Sequence, residues 1–189
     1  MKKILIRIEG ITPLLCSNYV PEEDGKKAGK TNRFTGERGT PLEQAEKRLY
    51  RGVDGSLIIP SENMFACITG GGKFHKANKR NVTTQSSSIL YGCAEIEEIA
   101  IGLEHEQPWK VFSKPGRIPP KTGARVLIHR PMFDDWALEF NLIIDEEIIG
   151  SQFMREIVDD AGKRIGLGDW RPDLRGRYGK FVVTKWVEK

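Results

Sequence analysis

Trp136-Ala137-Leu138-Glu139-Phe140-Asn141-Leu142-Ile143-Ile144, and the helical pattern that follows it, decide the fold class. Trp136, Leu138, Phe140, Leu142 and Ile144 alternate with Ala137, Glu139 and Asn141, the period of a strand with one buried face. Ile149, Phe153, Ile157, Ala161 and Ile165 then recur every fourth residue, with Met154 and Val158 beside them. Arg155, Glu156, Asp159, Asp160, Lys163 and Arg164 lie opposite, which predicts an amphipathic helix over a core. Residues 181–187 predict a last strand. The C-terminal third therefore reads strand, helix, strand.

The N-terminal part supplies the rest of the pattern. Ile4, Ile6 and Ile8 share one face of a strand over 2–9. Thr40-Pro41-Leu42-Glu43 predicts a capping box and a short helix with a Leu42, Ala45, Leu49 stripe. Residues 56–59 predict a strand ending at Pro60. Ser61 then caps a second helix through Met64, Phe65 and Ile68, stopped by Gly70-Gly71-Gly72. A helical turn over 86–91, a strand over 95–101 and a hairpin of 109–112 with 124–129 complete the pass. We expect an α+β, ferredoxin-like (RRM-like) βαββαβ core with long loop insertions and an extra hairpin. It forms a single domain over 1–189, with insertions at about 16–40, 71–93 and 109–130. In such a core helices cover one face of the sheet and leave the other open for a ligand.

Between the best helix and the last strand lies Gly166-Leu167-Gly168-Asp169-Trp170-Arg171-Pro172-Asp173-Leu174-Arg175-Gly176-Arg177-Tyr178-Gly179-Lys180. Glycines let backbone N–H groups approach a ligand, arginines pair with phosphate, and aromatic rings stack on unpaired bases. Gly166, Gly168, Gly176 and Gly179 are candidates to cradle phosphate, with helix capping and turn formation as the alternative. Trp170 and Tyr178 are candidates to stack. Arg171, extended before Pro172, points at a partner or pairs with Asp169 or Asp173. Arg175 and Arg177 join this group.

The net charge is only +4, but it is segregated. Lys73, Lys76, Lys79 and Arg80 form one acid-free cluster; Lys114, Arg117, Lys121, Arg125 and Arg130 form another. Such clusters could follow a phosphate backbone or could be solvated hairpin tips. The acids collect at 95–106, 134–135 and 145–147. Cys16, Cys67 and Cys93 have no metal-ligand spacing and read as reduced, mostly buried thiols. We expect no cofactor, no metal, no membrane segment and a cytoplasmic location. A metal-independent ribonuclease would need a base near a 2′-OH, and His75 in its basic loop is the candidate, ahead of His105 among glutamates and His129 on a strand.

Two stretches resemble the RAMP superfamily of CRISPR-associated proteins. Leu57-Ile58-Ile59-Pro60-Ser61-Glu62-Asn63-Met64-Phe65-Ala66 looks like its strand, Ile-Pro, small residue and helix. The stretch from Gly166 to Gly179 is similar to its C-terminal glycine-rich loop, with a longer spacer that carries Trp170-Arg171-Pro172. Arg130-Pro131 before a Trp strand, together with Gly168-Asp169-Trp170-Arg171-Pro172, also resembles phage or prophage proteins. The RAMP resemblance implies a ferredoxin-like, backbone-subunit-like protein that binds RNA or single-stranded nucleic acid. Its partners would be copies of itself or CRISPR-like complex subunits, along a strand on which it polymerises. An Asp24 echo of a cleaving aspartate belongs to the same resemblance. Two alternatives stay open: a metal-independent endoribonuclease of the same superfamily, and a phage structural or anti-defence module that binds protein.

Overall fold

The computed structural model describes residues 1–19, 39–118 and 123–189. Lys121 and Asp24 lie outside the described residues. Strand β1 (Lys2–Gly10) buries Ile4, Ile6 and Ile8 completely, as the alternation requires. It ends at Gly10 because the Trp136 indole occupies the space a Cβ would need, 2.1 Å away. Strand β2 (Leu14–Leu15) follows. Helix α1 (Pro41–Glu46) opens with the full reciprocal capping box between Thr40 and Glu43. Of the expected stripe, Ala45 and Leu49 are buried, but Leu42 is exposed and Gln44 is buried, its amide donating to the Gly39 carbonyl.

Strand β3 (Ile58–Pro60) runs directly into helix α2 (Ser61–Gly71). Pro60, not Ser61, holds the cap position, and no side chain caps the helix. The Ser61 N–H instead donates to the Ile99 carbonyl. The helix ends at the Gly70-Gly71-Gly72 run as expected, with Gly72 at the C-cap and Gly70 and Gly71 as its last two residues. A Cβ on Gly71 would meet the Ile157 carbonyl at 2.4 Å and one on Gly70 would meet Ile165 at 3.0 Å. These glycines permit close helix contact. Gly71→Ala gains about 0.8–1.0 kcal/mol of helix propensity but incurs about 1–3 kcal/mol of overpacking. The expected net result is a lower midpoint in urea unfolding.

The basic segment after α2 forms a tight hairpin of β4 (Lys76–Ala77) and β5 (Arg80–Asn81), turned by Asn78 and Lys79 at φ 48° and 67°. Helix α3 (Leu90–Cys93) leads into two strands, β6 (Ala94–Ile96) and β7 (Ala100–Gly102), where the sequence predicted one. They part because they serve different partners: β6 pairs with the core strand that follows, β7 with β3. Strands β8 (Lys110–Ile118) and β9 (Ala124–Phe133) make a hairpin longer than predicted in both arms. It admits Pro115 because β8 is an edge strand, where a missing N–H leaves no ladder gap.

Strand β10 (Ala137–Ile144), helix α4 (Ser151–Asp160) and strand β11 (Phe181–Glu188) match the predicted ending. Four-residue spacing drifts about 40° per step on a 3.6-residue helix. The last five residues, Ala161–Ile165, widen into a π turn that takes up this drift, so Ala161 and Ile165 stay buried.

The architecture is α+β. The main sheet runs β11-β1-β10-β6, antiparallel at every pairing. Counted along the chain, these strands stand fourth, first, third, second. Helix α2 lies between the first and second of them in sequence, and α4 between the third and fourth. Both helices cover one face, packing Met64, Ile68, Met154, Ile157 and Val158 on Ile4, Ile6, Leu138, Phe140 and Leu142. Smaller sheets, β2-β9-β8, β3-β7 and β4-β5, surround this layer. Cys16, Cys67 and Cys93 are free and buried. Among the described residues, no helix is long and apolar enough to cross a membrane.

Candidate nucleic-acid interface

The glycine-rich stretch leaves the π turn of α4 and folds back on itself against β2. Gly166, Gly168 and Gly179 all have left-handed backbone, at φ 74°, 78° and 68°. Leu167 N–H donates to Gly179 O, Gly179 N–H to Pro13 O, and Asp169 N–H to Leu15 O, each at 2.8 Å. The Gly166 N–H is taken by Ala161 O and that of Gly176 by Arg171 O. Three of the four expected phosphate-cradling amides are thus committed inside the chain. The glycines shape the loop through close approach.

Those side chains meet the β8–β9 hairpin. Tyr178 N–H donates to Trp170 O at 3.2 Å, which closes the loop and holds the two rings near each other. Phe112 of β8 packs edge-on against both, with centroids 5.8 Å from Trp170 and 5.4 Å from Tyr178. Lys114 Nζ lies 4.7 Å over the Trp170 ring, and the Arg177 guanidinium 5.6 Å from the Tyr178 ring. Three half-buried aromatic rings therefore sit beside two exposed cations. Trp170 and Arg175 hold left-handed backbone without being glycine, at φ 47° and 60°. That conformation is uncommon for bulky residues and concentrates at functional loops. Sequence reading missed Phe112. The available signal was period two in β8, which puts Lys110, Phe112 and Lys114 on one face.

Arg130 and Asp169 lock the loop to the hairpin. Arg130 Nε donates to Asp169 Oδ2 at 2.9 Å, with the two side chains only 12% and 19% exposed. Asp169 Oδ1 accepts the Trp170 N–H. Arg130 is therefore a positioning residue. Arg171 is extended before Pro172, as expected; it donates to Gly168 O at 3.0 Å and lies 3.8 Å from Asp173. Lys73 reaches the same Asp173, at 3.6 Å.

Arg117 and Arg125 are paired directly across β8 and β9, both exposed, with no ion pair among the described residues. Like charges opposite each other are destabilising in a sheet. Lys76, Lys79 and Arg80 are exposed on the separate β4–β5 hairpin, with no ring contact or ion pair to the platform.

His75 stands elsewhere. Its Nε2 lies 3.0 Å from Asp160 Oδ2 without hydrogen-bond geometry, and Phe153 packs edge-on to its ring at 5.5 Å. Asp160 is shared with Arg164 at 3.2 Å. This histidine is wedged against α4, its side chain 13% exposed. Among the described residues, no group of three or more His, Cys, Asp or Glu could hold a metal.

The uncovered face of the main sheet presents Leu5, Arg7, Glu139, Asn141, Ile143 and Lys185. Arg7 bonds Glu104 at 2.7 Å and Glu9 at 3.2 Å, and Lys185 bonds Glu139 at 3.1 Å. The Arg7 guanidinium holds the Glu104 carboxyl below its ordinary range. The cations of this face are already neutralised. The aromatic and basic groups gather at the hairpin and loop instead.

No family model matches the chain, and no curated protein does. Solved structures do. One is a chain in the cryo-EM structure of the Type III-B Cmr-beta bound to cognate target RNA, with a TM-score of 0.56 and 10% identity. The match covers 99% of this chain and 60% of that one, so this chain spans about three fifths of the protein it resembles. At that identity the likeness is one of fold.

Proposed function

We propose that the chain is a non-catalytic RNA-binding subunit of a CRISPR-type ribonucleoprotein assembly, built on a ferredoxin-like core of the RAMP kind. The fourth-first-third-second strand order supports the core. The matched chain's assembly is bound to target RNA, which favours RNA over DNA. The observation that carries the reading is the arrangement at the hairpin: Arg117 opposite Arg125, beside the Phe112, Trp170 and Tyr178 rings and Lys114. Single-strand binders combine a cationic track with stacking rings in this way. The RNA backbone runs along β8 and β9, and bases turn toward the loop. Copies of the chain follow one another along the strand. An endoribonuclease would need a base free to reach the 2′-OH, and the His75 side chain lies against α4, only 13% exposed.

Arg117→Ala/Arg125→Ala tests this. Two phosphate contacts fewer should flatten the log affinity against log salt slope by about 1.4 and weaken binding about tenfold at physiological salt. Thermal stability should hold or rise slightly, since a repulsive cross-strand pair is gone. Fluorescence anisotropy with short single-stranded RNA and a melting curve read both. Unchanged affinity in the double variant would move the RNA track elsewhere. Wild-type protein that ignores RNA but captures a specific protein would overturn the reading.

A further inference from the structure

A cleft of about 200 Å³ opens between the glycine-rich loop, β2 and α2. Trp170 separates the two sites. Its left-handed backbone sends the ring to Phe112 while its neighbours Asp169 and Arg171 line the cleft. The inner wall is apolar, with Leu14, Ile59 and Leu167, and the rim is polar, with Tyr50, Asn63 and Arg171.

The charge balance decides what this space can take. Asp169 is neutralised by Arg130. Arg171 is tied at both ends, to the Gly168 carbonyl and toward Asp173, which Lys73 also approaches. Burial pushes the Cys16 and Cys67 thiols up to about 12, so both stay uncharged. Burial also raises the Tyr50 phenol, which the Asn63 side chain partly offsets. The Tyr50 hydroxyl donates to Ser17 O at 3.2 Å, which leaves its oxygen as an acceptor. Asn63 bonds the Tyr50 oxygen through its side-chain amide, which leaves it a second N–H donor and its carbonyl acceptor. A phosphate would find one guanidinium already satisfied and carboxylates nearby. A flat, neutral ring with donors and acceptors on its edge would find complementary groups. The volume lies below the roughly 300–1,000 Å³ of drug-sized pockets, which suits a single base rather than a whole nucleotide.

We infer that the cleft receives one unstacked nucleobase, its edge read by Asn63 and Tyr50 and its face lying against Arg171. The inference rests on the strand-binding function proposed above and adds base recognition to it. A strand crossing the hairpin places one base on the Trp170 and Tyr178 rings and turns another into the cleft. Binding by such a protein depends on base identity at one position, whereas the hairpin alone is indifferent to sequence.

The test uses free ligands on the full chain. Adenosine, cytidine, guanosine and uridine are titrated separately, with inorganic phosphate as the contrasting probe, and backbone amide shifts are followed. At least one nucleoside should shift the Leu167, Gly168 and Asn63 amides, while phosphate does not. Asn63→Ala should weaken that nucleoside about tenfold, the loss of one or two hydrogen bonds. Tyr50→Phe, which keeps the ring in place, should weaken it less. Phosphate shifting these amides while no nucleoside does would overturn the inference, as would a nucleoside affinity untouched by Asn63→Ala. The two failures are separable: RNA binding with a cleft inert to all four nucleosides removes only the base pocket. Absence of RNA binding removes the function itself.

Discussion

Gly179→Ala is expected to lower stability by about 2–5 kcal/mol and to abolish single-strand binding with it. Two independent costs add here. Gly179 has φ 68°, where a side chain costs about 1–2 kcal/mol. A Cβ there would also lie 1.7 Å from the Leu167 carbonyl oxygen, a backbone atom that cannot rotate away. Overpacking of that kind costs about 1–3 kcal/mol more. The displaced segment carries the bonds from Gly179 N–H to Pro13 O and from Leu167 N–H to Gly179 O, which tie the loop shut and to β2. Once they part, Trp170 and Tyr178 lose their common footing. Gly92→Ala is the matched control, because nothing lies within 4 Å of its Cβ position. Urea unfolding of the two variants should separate clearly. Equal midpoints would show that the loop is not held as described.

The contrast between those two glycines also shows what the sequence could convey. Alternation placed β1 and β10, because each buries one face along its whole length. The capping box placed α1, because its bonds are local. Features that depend on a distant partner were not legible. Gly70 and Gly71 read as a helix stop, and the helix does end there, but nothing local showed that they also admit the Ile157 carbonyl and the Ile165 side chain. The strand expected over 95–101 breaks because its two halves answer to β10 and β3. Of the two neighbours that could pair with Arg171, Asp173 does, at 3.8 Å, while Asp169 goes to Arg130, 39 residues away.

The candidate site divides along the same line. Its composition was visible: Trp170, Tyr178, Arg177 and Lys114 are all read from the sequence, and the structure brings them together. Its assembly was not. Only the hairpin register sets Arg117 against Arg125, and only the tertiary contact brings Phe112 between the two loop rings. The glycines pointed to phosphate through their amides, and three of those four amides are bonded within the chain.

Trp170→Ala is expected to weaken single-stranded RNA binding by about 5- to 150-fold, the equivalent of about 1–3 kcal/mol of stacking on one aromatic face. The wild-type ring is covered by Lys114, whose ammonium lies 4.7 Å from its centre. An exposed cation–π contact is worth about 0.5–1 kcal/mol, so an arriving base displaces it at a net gain. The released ammonium then becomes free to meet phosphate. Stacking releases no counterions, so the salt slope should match that of the wild type even as affinity falls. Arg117→Ala/Arg125→Ala should do the reverse, flattening the slope. Trp170→Phe, which keeps a ring on the same backbone, should recover most of the affinity. Combining Trp170→Ala with the arginine pair should give nearly additive losses if ring and cations act on different parts of one strand. A flattened slope in Trp170→Ala alone would mean that the indole serves chiefly to hold Lys114 in place, and the stacking role would fall.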